Sequence, residues 1–347
     1  MNAAYWEKGE RTGVGPVENL TPYGAAALSG VTREGDEVRT VLLAAHFPLP
    51  PPGRRVERPL IPTDEQPAPV TADVYWGEPG ASSLRYEGLT AYTRNCTDIH
   101  IQGSAWAPGG RPVTSMDVSV AVGACRKTLR VHGDRIWLHR MGFTRASSPA
   151  PFVTMPLRWE RALGGDQRNP VGRSVFRSAR EADGAPVPNI EFPHSPITDP
   201  CSRSEPAGIG PIAKHWSPRA SFAGTYDEAW VAQRAPLWPE DLDLRFFQSA
   251  APGLTAPTHL VGGEDVVLDG FAAEGTYAFT LPRLRLVCKS VFRTAIHRQP
   301  MTLDVVVLEP DQGTLTLLWR ATVPFSRQGR EHEYTSVREL ETWEAFP

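Results

Sequence analysis

Four short stretches carry the residue types that chemistry would need. His332-Glu333 opens like a zinc-protease helix, but Ser336 stands where the second histidine belongs, so one ligand is left. Asp241-Leu242-Asp243 has the spacing of the acidic pair that holds a metal in some glycosyltransferases, and turn capping after Pro239 explains it equally. Glu264-Asp265, after Gly262-Gly263, offers two carboxylates, and acid/base roles would depend on a separation that only the fold sets. Gly208-Ile209-Gly210-Pro211-Ile212-Ala213 has the outline of a dinucleotide fingerprint. Pro211, however, removes an amide from the phosphate cradle, and no buried strand precedes it. The chain has no GxxxxGK[ST] loop, GxSxG elbow or SxxK pair. Motif search alone names no reaction.

Composition narrows the class. The 347 residues include 34 prolines and 30 glycines, an excess of helix breakers that favours short strands joined by turns over a helical bundle or solenoid. The net charge of −3 supplies no global field for nucleic acid or an anionic membrane, so neither is expected as a partner. Arg126, Lys127, Arg130, Arg135, Arg140 and Arg145 form a local basic stretch, read as a solvated face or as edge-strand charge. Cys96, Cys125, Cys201 and Cys288 are scattered without a CxxC pair, and Met1 to Arg11 lacks an apolar leader. Reduced thiols and a cytoplasmic location are expected. No cofactor is implied.

The elements follow from periodicity and prolines. Alternation over 116–122 and 128–132 predicts strands, and Gly133-Asp134 predicts a hairpin turn into 135–139. Further strands are predicted over 38–47, 97–106, 284–291, 302–308 and 314–323, with a hairpin at 309–313. Thr225 and Glu228 have capping-box spacing, which predicts two helical turns ending at Gln233. Similar signals predict short helices over 156–162 and after Ser336. Prolines crowd into 48–69 and 186–218. The first region reads as an extended surface crossing, the second as either a partner-binding loop or a connector packed across a sheet. The fold class is therefore mainly β: a large, mostly antiparallel sheet or sandwich scaffold with two or three short helices and long Pro/Gly-rich loops.

Taken in order, the densest motifs form a set. Gly133-Asp134-Arg135-x-Trp137 is followed by Met155-Pro156-Leu157-x-x-Glu160-x-Ala162-x-Gly164-Gly165, Asn169-Pro170-x-Gly172 and Pro188-Asn189-Ile190-Glu191. Then come Pro206-Ala207-Gly208-x-Gly210-Pro211, Gly224-Thr225-Tyr226-Asp227-x-x-Trp230-x-x-x-Arg234-x-Pro236, Pro239-x-Asp241-x-Asp243-x-Arg245-Phe246 and Gly262-Gly263-Glu264. This series resembles the bacterial domain-of-unknown-function family 2169. The resemblance covers roughly 25–282 and is loose from Arg283 onward. It divides the chain into a polar segment 1–24, a β-rich domain 25–282 and a C-terminal hairpin region 283–347 expected to pack on the same domain.

The resemblance implies a non-enzymatic accessory protein of the type VI secretion system. Such a protein acts as adaptor or chaperone for a PAAR-like effector or tip protein, and aids its loading onto the spike protein. Asp134, Arg135, Trp137, Tyr226, Asp227, Gly262 and Gly263 are expected to be structural motif residues, with Trp137 buried against a facing sheet. The stretch 224–247 concentrates Trp, Tyr and Arg: either Tyr226, Trp230, Phe246 and Phe247 anchor a loop-rich region to the sheet, or the stretch is an interface hot spot with Trp230, Arg234 and Trp238 as the partner-binding candidates. Arg234 would pair with a carboxylate on the partner, flanked by the two indoles. The rival reading is a carbohydrate-active enzyme or lectin that uses the tryptophans and Glu240, Asp241, Asp243 and Glu264.

Overall fold

A computed structural model describes residues 15–324, 332–341 and 343–345. The chain is mainly β. One five-stranded sheet has the order Gly24–Val31, Glu37–Pro48, Thr314–Pro324, Thr302–Glu309, Asp98–Ile101. A second runs Ile190–Glu191, Cys125–His132, Ser115–Val122, Asp265–Asp269, Tyr277–Thr280, and a four-stranded sheet joins Val17–Asn19, His332–Glu339, Leu286–Phe292 and Ala295–Pro300. Pairing is mostly antiparallel, with parallel exceptions such as Thr302–Glu309 beside Asp98–Ile101. The first residues of the N-terminal segment, 1–14, lie outside the described residues.

Both five-stranded sheets feed one apolar core. Val41, Leu43, Phe47, Val306 and Leu317 of the first meet Val120, Leu129, Val266 and Phe279 of the second in a single cluster. The opposite side of the first sheet is also covered, where Ala26, Leu42, Val305 and Val307 pack with Leu89. A sheet covered on both sides needs apolar residues at every position. That is why Thr40-Val41-Leu42-Leu43-Ala44-Ala45 and Val305-Val306-Val307-Leu308 are continuous rather than alternating. Ser115–Val122 and Cys125–His132 alternate buried and open residues, as strands with one solvated side must.

The hairpin at 309–313 forms as the sequence predicts, and its strands occupy the middle of the first sheet. Other expectations need correction. Gly133-Asp134 does not turn a hairpin, because Cys125–His132 pairs with Ser115–Val122 and Ile190–Glu191 instead. Gly133 is needed for closeness: a Cβ there would stand 1.7 Å from the Ala150 carbonyl oxygen. The hairpin lies one step later, between Trp137–Arg140 and Phe143–Ala146. The segment expected as a helix over 156–162 is the end of the strand Thr154–Pro156 followed by a 3-10 turn at Trp159–Arg161. The helix expected after Ser336 is strand, because His332–Glu339 is pulled into pairing with Leu286–Phe292. Among the described residues a single α-helix remains, Glu228–Gln233, accompanied by 3-10 turns.

The ordered motifs converge. Gly164 and Gly172 cross with their backbones in contact, and a Cβ on either would lie under 3 Å from the other's Cα. Asn169 ties the crossing by donating to the carbonyls of Trp159 and Leu163 at 2.8 and 2.9 Å. Asp134 accepts from Asn189 at 3.1 Å and lies 3.4 Å from Arg161, and these partners hold its carboxyl below the usual range. Arg135 donates to the Pro188 carbonyl at 2.8 Å, beside Glu191. Trp137 is buried, but in a satellite cluster with Leu163, Ala182, Val187 and Ile197 rather than against a facing sheet. The 206–213 part of the second proline-rich region is a packed connector. Gly208 lies flat on the Trp159 ring, and Ala207, Ile209, Ile212 and Ala213 enter the main core. The fingerprint-like glycines seat an indole, whose N–H donates to the Gly210 carbonyl at 3.1 Å.

Candidate interaction surface

The segment 222–249 is an arm laid against the first sheet. Asp227 caps Glu228–Gln233 by accepting from the Trp230 amide at 2.8 Å, so the cap sits two residues later than the Thr225–Glu228 spacing predicts. Thr225 instead closes the arm into a loop, since its amide and hydroxyl both bond Asp241, at 2.9 and 2.7 Å. These bonds hold the Asp241 carboxyl below its ordinary range. Gly224 makes the closure possible, since its φ is +83° and a Cβ there would meet Pro239 at 2.7 Å.

The aromatic residues fix the arm at one end and leave it open at the other. Phe247 and Leu242 are buried with Ala91, and Phe247 meets Tyr92 edge-on at 5.4 Å and Trp238 at 5.5 Å. Trp238 donates its indole N–H to the Val31 carbonyl at 3.2 Å, and Trp230 donates to the Leu237 carbonyl at 2.9 Å. Tyr226 packs on Trp230 at 4.7 Å yet stays 52% exposed, and burial raises its pKa. Between arm and sheet runs a groove of 410 Å³. Leu28, Gly30 and Thr40 form its floor, and Tyr226, Trp230 and Trp238 line it from the arm.

The three partner-binding candidates thus stand together, all half-buried. Arg234, however, is held within the chain. Its Nε donates to the Trp238 carbonyl at 2.8 Å, its guanidinium also bonds the Arg33 carbonyl, and Glu240 lies 3.8 Å away. It positions the two indoles rather than standing between them as an open cation. Tyr226, assigned by sequence to structure, is the most open aromatic residue of the groove.

The carboxylates that suggested chemistry are committed elsewhere. Asp241 serves Thr225, and Asp243 caps the 3-10 turn Leu244–Phe247 while bonding Arg245. Glu264 accepts from the Val261 amide at 2.9 Å, in a turn where Gly262 and Gly263 have φ of +87° and +91°. Neighbouring Asp265 pairs with Arg55 at 2.5 Å. His332 lies in a strand, with its Nδ1 accepting from the Gly15 amide. Among the described residues no group of three or more His, Cys, Asp or Glu stands together to hold a metal, and no helix is long and apolar enough to cross a membrane. The four cysteines form no disulfide, and burial pushes the Cys288 thiol up to about 11.

Sequence reasoning missed the ionic cluster that anchors this surface. Arg94 pairs with Glu87 and, at 2.5 Å, with Asp98, while Arg219 reaches Glu87 at 2.5 Å. Arg320 pairs with Asp304 and donates to the Ala91 carbonyl. All six side chains are almost wholly buried. Burial alone would raise Glu87, but Arg94 and Arg219 outweigh it and hold the carboxyl far below its usual range. Asp98 accepts from the Ser249 amide at 2.6 Å, and Ser249 bonds His100, whose pKa burial drives down to about 4. The cluster ties segment 87–98 and both ends of the arm to the sheet. Its members are spread over more than two hundred positions, with no spacing to reveal them.

The family model described as an uncharacterized protein conserved in bacteria (DUF2169) matches residues 34–320. The match runs past the boundary expected at 282 and takes in Thr302–Glu309 of the central hairpin. No curated protein and no solved structure matches. With its crossed glycines, aromatic arm and ionic cluster all inside the matched span, the chain belongs to the bacterial family DUF2169.

Proposed function

We propose that this chain is a non-enzymatic adaptor or chaperone of a type VI secretion system. It holds a PAAR-like effector in the cytoplasm and aids its loading onto the spike. The motif series supports the secretion context. The groove is the observation that carries the binding half of this reading: half-buried indoles and an open tyrosine, braced from behind by a buried ionic cluster. Rigid aromatic residues on a supported surface are what a protein interface uses as anchors, because little side-chain entropy is lost on contact. Asp241 is engaged by Thr225 and Asp243 by Arg245 within the arm, while Glu264 accepts from Val261 in a separate turn, which favours the adaptor over the carbohydrate-active alternative.

Co-expression with a PAAR-like effector from the same genome tests the proposal. The two proteins are expected to co-purify, and the effector to lose solubility when the adaptor is omitted. Effector that stays soluble alone and never co-purifies would overturn it.

A further inference from the structure

Resting on the reading that the groove holds a partner protein, we infer that the partner enters as an extended, basic segment. It adds a strand to the outer edge of Gly24–Val31.

That strand is the end member of its sheet and pairs on one side only, with Glu37–Pro48. The pairing phase shows which groups point outward. The Thr32 amide donates to the Asp36 carbonyl at 2.9 Å, closing the hairpin as a hydrogen-bonded pair. Bonded pairs in an antiparallel ladder then recur at every second residue, at Gly30–Val38, Leu28–Thr40 and Ala26–Leu42. Val31, Ser29 and Ala27 therefore turn their N–H and C=O groups away from the sheet. The indole bond from Trp238 to the Val31 carbonyl marks the same phase independently. Among the described residues no backbone or side-chain group bonds the outward groups of Ala27 and Ser29, and Ser29 and Gly30 are exposed.

The open stretch is bounded. At Gly24 a Cβ would stand 2.1 Å from the Pro67 carbonyl oxygen, so segment 67–68 closes that end. At Val31 the Trp238 indole closes the other. What remains accepts a strand of about four residues, whose alternate side chains would fall over the groove beside Trp230 and Tyr226.

Charge selects the occupant. Asp227 and Glu228 sit between the lining residues Tyr226 and Trp230, Glu240 follows Trp238, and Glu37 lies opposite Val31 in the ladder. Glu34 and Asp36 are exposed at the adjoining turn. The nearby cations are engaged: Arg33 bonds Glu34 and the Leu242 carbonyl, Arg39, opposite Ser29 in the ladder, donates to the Gly15 carbonyl, and Arg234 bonds carbonyls and Glu240. The rim is acidic, and a Lys- or Arg-bearing segment complements it.

Amide hydrogen exchange on the complex with a PAAR-like effector tests this. The Ala27 and Ser29 amides are expected to slow by about tenfold or more on binding. Ser29→Pro removes one outward N–H without touching the inner ladder, and is expected to weaken binding about tenfold at unchanged melting temperature. A complex that leaves both amides exchanging as in the free protein overturns the strand addition while the adaptor reading stands. The second probe is a seven-residue peptide of alternating Lys and Val, with a Glu/Val counterpart. If no effector binds but the Lys peptide alone protects the two amides, the adaptor reading falls and the edge site stands. If no effector binds and the Lys peptide leaves the two amides unprotected, both fall.

Discussion

The indole N–H of Trp238 donates to the main-chain carbonyl of Val31 at 3.2 Å, which fastens the aromatic arm to the rim of the first sheet. A tryptophan held this way is at once an anchor and a wall. Its ring packs on Phe247 and Phe246 behind, while its other side lines the groove. Stability and binding are therefore coupled at this residue, and they separate only in variants that spare the hydrogen bond or spare the ring.

Trp238→Phe keeps an aromatic ring and removes the bond to Val31. The expected loss is about 1 kcal/mol, the ordinary net worth of one hydrogen bond. Urea unfolding measures it. A variant as stable as the parent would mean that the arm is held by packing alone.

Arg94→Met leaves Glu87 and Asp98 buried without their shared cation. Breaking a buried pair from one side costs about 3–5 kcal/mol, far more than the pair itself contributes. Denaturant titration is expected to show that loss, together with faster proteolysis within 87–98 and the arm. A change under about 1 kcal/mol would contradict the anchoring role.

Acid is expected to destabilise the fold in two stages. His100 is held down to about 4 by burial, against 6.5 in an unfolded chain. The unfolded state thus binds the extra proton first, and stability is lost as the pH falls from about 6.5 towards 4. His46 shifts in the same direction through burial. Glu87, held low by its arginines, keeps its contribution until the pH falls further, through its depressed folded-state pKa. His100→Gln is expected to flatten the upper stage by up to about 1.4 kcal/mol per pH unit. An unchanged slope in melting temperature between pH 6.5 and 4.5 would place the titration elsewhere.

Gly172→Ala puts a methyl group 2.3 Å from Asn169 Nδ2 and 2.8 Å from the Gly164 Cα. With backbone on one side and a buried amide on the other, nothing flexible yields, and a loss of about 3 kcal/mol or more is expected. Gly80→Ala is the control. Its φ of +82° is strained for alanine, but no atom lies within 4 Å, so about 1 kcal/mol is expected. Equal losses at the two sites would mean that the crossing of Gly164 and Gly172 is not close-packed.

Three strands were legible from alternation or from unbroken apolar runs, whereas the single strand predicted over 97–106 is two, Asp98–Ile101 and Ser104–Trp106, in different sheets. Glu37–Pro48, Ser115–Val122 and Thr302–Glu309 all lie where alternation or apolar runs predict them. Helix signals misled where they were purely local. Ser336 and Glu339 have capping spacing, yet strand pairing with Leu286–Phe292 outweighs a cap of about 1 kcal/mol. Gly133-Asp134 has turn composition, but it is the Ala150 carbonyl pressed on Gly133 that requires the glycine there. At the surface, the residues on the arm were readable from density of type alone. The openness of Ser29 and the closure of Arg234 were not, because both depend on which groups meet across the sheet edge. The ionic cluster was wholly hidden, since Glu87, Arg219 and Arg320 share no spacing.

The affinity of a PAAR-like effector for Tyr226→Ala, measured by titration calorimetry beside a melt of the free variant, decides whether a partner protein uses this groove. Tyr226 is the most open aromatic residue of the groove and its backbone is held by neighbours, so removal of its ring is expected to leave the melting temperature within a few degrees of the parent. Affinity is expected to fall about tenfold or more, as for an interface anchor. Parental affinity in a variant of parental stability would show that the partner does not use this groove.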